Sequence, residues 1–192
     1  MKVKVGISNR HVHLSKEDFD KLFFDQEFYS EKDLSQKGEF MSNLKVSIKG
    51  PKGEMEGVRV VGPIRNKTQV EISKTDSFKL GVDAPVRLSG NLEGAKDITI
   101  SFMDRVVEAK NSCIVAKRHL HISTSDLEKY NLKDNDVISI IAPGERGGKL
   151  NNVIVRSKDS FTLEVHLDTD EANALGLKNG NEVEIVRDND GQ

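Results

Sequence analysis

The 192-residue sequence predicts a mainly β protein made of two related small β-barrels, each capped by short α-helices. Three observations lead there. The phrase "RHVHLS" at residues 10–15 returns as "RHLHIS" at 118–123. Short stretches of alternating apolar and polar residues follow one another about every ten positions, separated by Gly, Asn and Asp turns. No long helical patterns alternate with these stretches, as a doubly wound α/β sheet would need.

The first repeated block opens on an apolar alternating run. "VGISNRHVHLSKEDFDKL" (5–22) aligns with "CIVAKRHLHISTSDLEKY" (113–130), and His119 lies 108 residues after His11. Each copy predicts a strand ending in two histidines at i and i+2. Ser15 and Ser123 then read as N-caps with an acid three positions on, predicting short helices over 16–22 and 124–130. Residues 24–43, "FDQEFYSEKDLSQKGEFMSN", occur only in the first copy and predict an inserted helical turn and surface loop. Beyond it, residues 57–82 align with 152–177, with Val165 lying 95 residues after Val70. Leu80-Gly81 matches Leu175-Gly176 in the same frame. A helix end, a polar turn and a period-two strand recur at 80–88, 132–140 and 175–185.

Composition narrows the function classes. A net charge of −2 gives no basic footprint for nucleic acid or a membrane surface, and the absence of tryptophan removes a base-stacking platform. The single cysteine, Cys113, allows no internal disulfide and fits a reducing cytoplasm. No run of about 18 apolar residues occurs. The expectation is a soluble intracellular protein.

The chain has five histidines, and four of them stand in the two repeated phrases. On a strand, residues i and i+2 share a face, so His11 with His13, and His119 with His121, present paired imidazoles. Neutral imidazole suits zinc and similar divalent ions, and a catalytic ion takes three protein ligands plus an open position. The repeat supplies the third ligand: His166 in "TLEVHLD" aligns with Glu71 in "TQVEISK". The predicted metal ligands are therefore His11, His13 and Glu71 in one half, and His119, His121 and His166 in the other.

Other residues read less sharply. Cys113 fits core burial better than a nucleophile's role. Arg10 and Arg118, beside the histidines but facing away, suit either a structural or a substrate role. Arg65, in the turn entering the Glu71 strand, is either a solvated loop arginine or an anion holder beside the metal. Lys52 and Arg59 read as surface cations. No Walker loop, dinucleotide fingerprint or nucleophile elbow is present.

Taken together, "VGISNRHVHLS", "GPIRNKTQVEIS", "VAKRHLHIS" and "VHLDTDEANA" resemble the phosphate propanoyltransferase (PduL-type phosphotransacylase) family over about residues 3–186. The resemblance implies reversible conversion of a short-chain acyl-CoA and phosphate into acyl phosphate and CoA, at a dinuclear zinc site; because a thiolate is a good leaving group, the expected route is direct phosphate attack without an acyl-enzyme. It implies two zinc ions on the ligand sets already named, with Arg65 as the phosphate-binding, catalytic arginine. It places coenzyme A against Ile7, Ser8, Asn9, Lys52, Arg59 and Asn173. It further implies two barrels with exchanged strands, one from residues 1–9 with 117–192 and one from 10–116, and a homodimer. Relatives that work inside bacterial microcompartments carry an N-terminal targeting helix. Here the first predicted strand starts at residue 3, so the expectation is a cytoplasmic enzyme, with shell association the lesser reading and acetyl-CoA a candidate beside propanoyl-CoA. A cupin-like single-metal enzyme and a non-catalytic metal-binding module are the alternatives.

Overall fold

The structure, a computed structural model, describes residues 1–187. Along the chain the elements are β1 (Lys2–Ser8), β2 (His11–His13), α1 (Lys16–Phe23), β3 (Ser30–Asp33), β4 (Phe40–Lys49), β5 (Glu54–Gly62), β6 (Gln69–Ile72), α2 (Lys74–Leu80), β7 (Val86–Arg87), β8 (Lys96–Phe102), β9 (Arg105–Ala116), β10 (His119–Ile122), β11 (Val137–Ala142), β12 (Gly148–Ser157), β13 (Glu164–Asp168), α3 (Thr169–Ala174) and β14 (Glu182–Val186). The fold is mainly β, with short helices, as the alternating patterns predict.

The chain divides into two compact units. One comprises Met1–Ser8, Ser35–Lys37 and the chain from Lys117 onward. Its strands close into a barrel in the order β1-β13-β10-β12-β11-β14. Its core is aliphatic: Val3 and Val5 from β1, Leu120 and Ile122 from β10, Val165 and Leu167 from β13, Ile138 and Ile140 from β11.

The other unit comprises Asn9–Leu34 and Gly38–Ala116. Here β4, β5, β2, β6, β9 and β8 pair in sequence, and β8 pairs back onto β4 to close the ring. β3 and β7 extend the sheet at its edges. Val12, Val46, Ile48, Val60, Val70, Ile100 and Cys113 fill its interior. At one end α1 packs Phe23 against Phe19 (5.5 Å between ring centroids) and against Phe102 of β8 (4.6 Å).

The two rings repeat each other register for register. Val5 of β1 pairs in parallel with Val165, and Cys113 of β9 pairs in parallel with Val70. Each strand that precedes a histidine pair thus belongs to one unit, while the histidines that follow it belong to the other.

Local chemistry sets the caps. Ser15 accepts the Asp18 amide at the start of α1, and Ser73 with Asp76 forms a full capping box on α2. Gly81, at φ +70°, ends α2 in the left-handed region, and its repeat equivalent Gly176, at φ +64°, follows α3.

Three expectations differ. After Ser123 the chain makes only a 3-10 turn over Thr124–Asp126, because the Ser123 hydroxyl bonds the Asp126 carboxylate instead of a backbone amide. The 24–43 insertion is not helical beyond its start. Ser30–Asp33 is an exposed edge strand on β4, which itself begins at Phe40, since the polar run "SEKD" offers no apolar stripe to seat a helix. Of the helix end, turn and strand expected over 80–88, the strand is limited to Val86–Arg87, paired with β9.

Phe23 is fully buried at the α1–barrel seam. Phe23→Ala should lower stability by roughly 3–5 kcal/mol, read as a drop in the thermal midpoint. An unchanged midpoint would contradict this packing.

Candidate metal centres

On every ligand strand the alternation places aliphatic residues inward and the polar set on the barrel's outer wall. Val12 and Val70 lie in one core, and Leu120, Ile122, Val165 and Leu167 in the other. His11 pairs across the sheet with Glu71, and His119 pairs in the same way with His166. Two three-residue clusters result, His11–His13–Glu71 and His119–His121–His166, with ligand atoms in each all within 4.8 Å of one another. These are the two ligand sets read from the repeat.

The first cluster is pre-oriented. His11 Nδ1 faces the Asn9 carbonyl at 2.8 Å and His13 Nδ1 the Val61 carbonyl at 3.1 Å. Both Nε2 atoms therefore point at a common locus, 3.2 Å apart. Two nitrogens on one tetrahedral zinc stand about 3.3 Å apart at ordinary Zn–N lengths, so the spacing fits a metal. Glu71 Oε2 lies 3.7 Å from His11 Nε2 and Glu71 Oε1 lies 4.0 Å from His13 Nε2. Burial keeps His13 neutral, well below the ordinary histidine range, with the neighbouring His11 and Arg65 charges acting in the same direction. Burial also pushes the Glu71 carboxyl up, but the facing His11, a Ser89 hydrogen bond and Arg65 outweigh it and hold the group below the ordinary carboxylate range. A neutral imidazole and an ionised carboxylate are the forms that bind a cation.

The second cluster repeats the first with variations. His119 Nδ1 faces the Lys117 carbonyl at 2.9 Å, the counterpart of the His11–Asn9 contact. His121 is buried, stacked on Phe161 at 4.0 Å, and neither of its ring nitrogens has a hydrogen-bond partner. Burial pushes its pKa far down, so it is neutral. A buried imidazole with both nitrogens unsatisfied is costly unless something else binds there. His119 and His166 rings lie 5.1 Å away, near-stacked. The three-histidine donor set suits zinc.

Arg65 joins the first cluster through a hydrogen-bonded chain. It donates from NH1 to Ser89 Oγ (3.3 Å) and from NH2 to Glu39 Oε1 (3.1 Å). Gln69 Nε2 donates to Ser89 Oγ (2.9 Å) and to Glu71 Oε1 (2.6 Å), while Gln69 Oε1 accepts the Gly90 amide (2.8 Å). Arg65 also lines an open cleft of about 820 Å³, with Ser15, Asn66, Lys67 and Thr68 among its neighbours.

Arg10 and Arg118 are anchors. Arg10 grips Asp76 with two 2.8 Å hydrogen bonds, and Arg118 Nε lies 2.7 Å from Glu171 Oε1. Asp76 and Glu171 are repeat equivalents, each at the third position of the helix after the ligand strand, and each completes a capping box. The shared acid at matching positions was the sequence signal for this pair; Gln69, Ser89 and the two carbonyls carried none.

The remaining residues expected at coenzyme A are divided between the units, Ile7, Ser8 and Asn173 in one and Asn9, Lys52 and Arg59 in the other. Ile7 and Ser8 stand on β1 beside Leu167 and Asp168, and the Ile7 amide donates to Asn179 Oδ1. Asn9 is exposed, and Asn173 is exposed on α3. Lys52 is exposed in the β4–β5 hairpin, and Arg59 is already held by Glu31 Oε2 and the Ser42 carbonyl at 2.6 Å each.

A sequence profile described as phosphate propanoyltransferase matches residues 4–178. The chain belongs to the phosphate propanoyltransferase family. It is 47% identical to a phosphate propanoyltransferase of Thermotoga maritima over 95% of this chain and 88% of that protein. The Clostridioides difficile enzyme of the same name is 44% identical (96% and 89% covered), and that of Salmonella typhimurium 41% (92% and 85%). The chain is accordingly an acyltransferase of the phosphate acyltransferase kind. No helix among the described residues is long and apolar enough to cross a membrane.

Asp76→Ala strips Arg10 of its partner and α2 of half its capping box. It should cost roughly 1–3 kcal/mol, measured as a fall in the thermal midpoint. A midpoint equal to that of the unaltered chain would show the pair to be idle.

Proposed function

We propose that this phosphate acyltransferase converts a short-chain acyl-CoA, propanoyl-CoA or acetyl-CoA, and phosphate into acyl phosphate and free CoA, reversibly, with two zinc ions per chain. His11, His13 and Glu71 hold one ion, and His119, His121 and His166 the other. The observation that carries this reading is the chain Arg65–Ser89–Gln69–Glu71, which ties a guanidinium to a carboxylate of a three-ligand set. Bound there, zinc supplies positive charge and Lewis-acid polarisation for phosphate and thioester oxygens.

Arg65 binds the phosphate. Its contacts to Ser89 and Glu39 leave further N–H groups of the fork for a bidentate anion approaching from the cleft it lines. A phosphate oxygen then bonds to the thioester carbonyl carbon, the C–S bond breaks, and the electron pair leaves on the CoA sulfur. Aligning the two substrates in this way supplies up to roughly 7–11 kcal/mol. No thiol of the chain takes part: Cys113 lies in a barrel core, where burial pushes its pKa up to about 12. Ile7, Ser8, Asn9, Lys52, Arg59 and Asn173 are the proposed coenzyme A contacts, with Lys52 and Arg59 directed at its phosphates.

Release of free thiol from propanoyl-CoA or acetyl-CoA in the presence of phosphate tests the reaction. Arg65→Ala should lower kcat/KM by roughly two to three orders of magnitude with zinc content unchanged; kinetics like those of the unaltered enzyme would remove Arg65 from the site. Glu71→Ala should lose about one zinc per chain, and retention of both would refute the ligand assignment. Cys113→Ala should remain active, and phosphate–acyl exchange in the absence of CoA should be negligible. Rapid exchange would instead indicate an acyl-enzyme.

A further inference from the structure

The two centres differ in what stands beside the third ligand. In the first-half centre Gln69 precedes Glu71 by two residues and bonds it. The repeat equivalent of Gln69 is Glu164, and its Oε2 lies 2.8 Å from His166 Nε2. Glu164 occupies a built slot. A Cβ added at Gly6 would stand 2.8 Å from both Glu164 Cδ and Glu164 Oε2, so it would push the carboxylate out of this position. In the other barrel the position of Gly6 is taken by Ile114, and that of Glu164 by the uncharged Gln69.

The 24–43 insertion supplies the other walls. The Ser35 hydroxyl donates to Glu164 Oε2. Gln36, only 3% exposed, donates from Nε2 to the Thr162 carbonyl (3.1 Å) and accepts the Thr162 amide on Oε1 (3.1 Å). Its Nε2 also stands 3.5 Å from His166 Nε2. A side-chain amide that satisfies both backbone groups of Thr162 fixes the chain at the entrance to β13, two residues before Glu164. Surface loops seldom bury an uncharged amide this deeply without a structural task.

We propose that Glu164, seated over Gly6 and held by Ser35 and Gln36, is the positioning residue of His166, and that it sets the metal affinity of the second-half centre. The carboxylate holds the imidazole's orientation and tautomer, as acceptors beside metal-binding histidines do. The insertion then belongs to that centre, which accounts for its occurrence in only one copy of the repeat. The inference rests on the metal reading above.

The test is zinc retention by the full-length protein against a graded chelator, with thermal unfolding of the metal-free forms in parallel. Glu164→Ala should weaken one of the two ions about 10- to 100-fold. Gly6→Ala and Gln36→Ala should shift it in the same direction, and Glu164→Gln, which keeps an acceptor oxygen, should restore most of the affinity. In a Glu71→Ala background, where only the second-half ion is expected, the same losses should appear. The spectrum of bound cobalt should keep its shape in Glu164→Ala. A changed coordination spectrum with loss far beyond 100-fold would make Glu164 a ligand and overturn the positioning role. Unchanged retention, or a lower metal-free midpoint with unchanged retention, would overturn the inference and leave the metal reading standing. An unaltered protein that holds no zinc would overturn both.

Discussion

A β-strand has two faces, and in a closed barrel one of them is committed to the core. Every feature of the two centres depends on that constraint. Val12, Val70, Leu120 and Val165 are drawn inward by burial of apolar surface. The intervening residues, His11, His13, Glu71, His119, His121 and His166, then have only the outer wall to occupy. The register that seals the cores also sets histidine opposite glutamate in one ring and histidine opposite histidine in the other. A one-residue slip would turn the polar set inward and the valines outward, so core packing and the geometry of the clusters are enforced by the same free energy.

The duplication separates frame from specialisation. The frame is what both halves share: a histidine oriented by the carbonyl two residues before it, and an arginine clamped to the third residue of the following helix. The differences gather at the third ligand. Glu71 with Gln69 and Ser89 makes an anionic site tied to Arg65, whereas His166 with Glu164 makes an imidazole site with its own carboxylate. The first set has one carboxylate and a guanidinium in its network. The second holds its carboxylate against the His166 ring.

Burial does electrostatic work at both centres. It keeps His13 and His121 neutral and available as donors. It also silences Cys113, whose thiol sits among aliphatic side chains.

The sequence by itself determined the β character, the duplication, the capped helix at Ser15, and both candidate ligand trios, because each rests on short-range spacing: alternation along a strand, offsets of three at a helix start, and matching positions in two copies. Tertiary structure alone decided the rest. The Gln69–Ser89 link to Arg65 and the docking of Ser35 and Gln36 beside Glu164 join residues far apart in the chain, where no local periodicity marks a partner. The edge strand at Ser30–Asp33 was settled by a neighbouring strand, and the aborted helix after Ser123 by a competing carboxylate three residues on, where spacing alone predicts a cap.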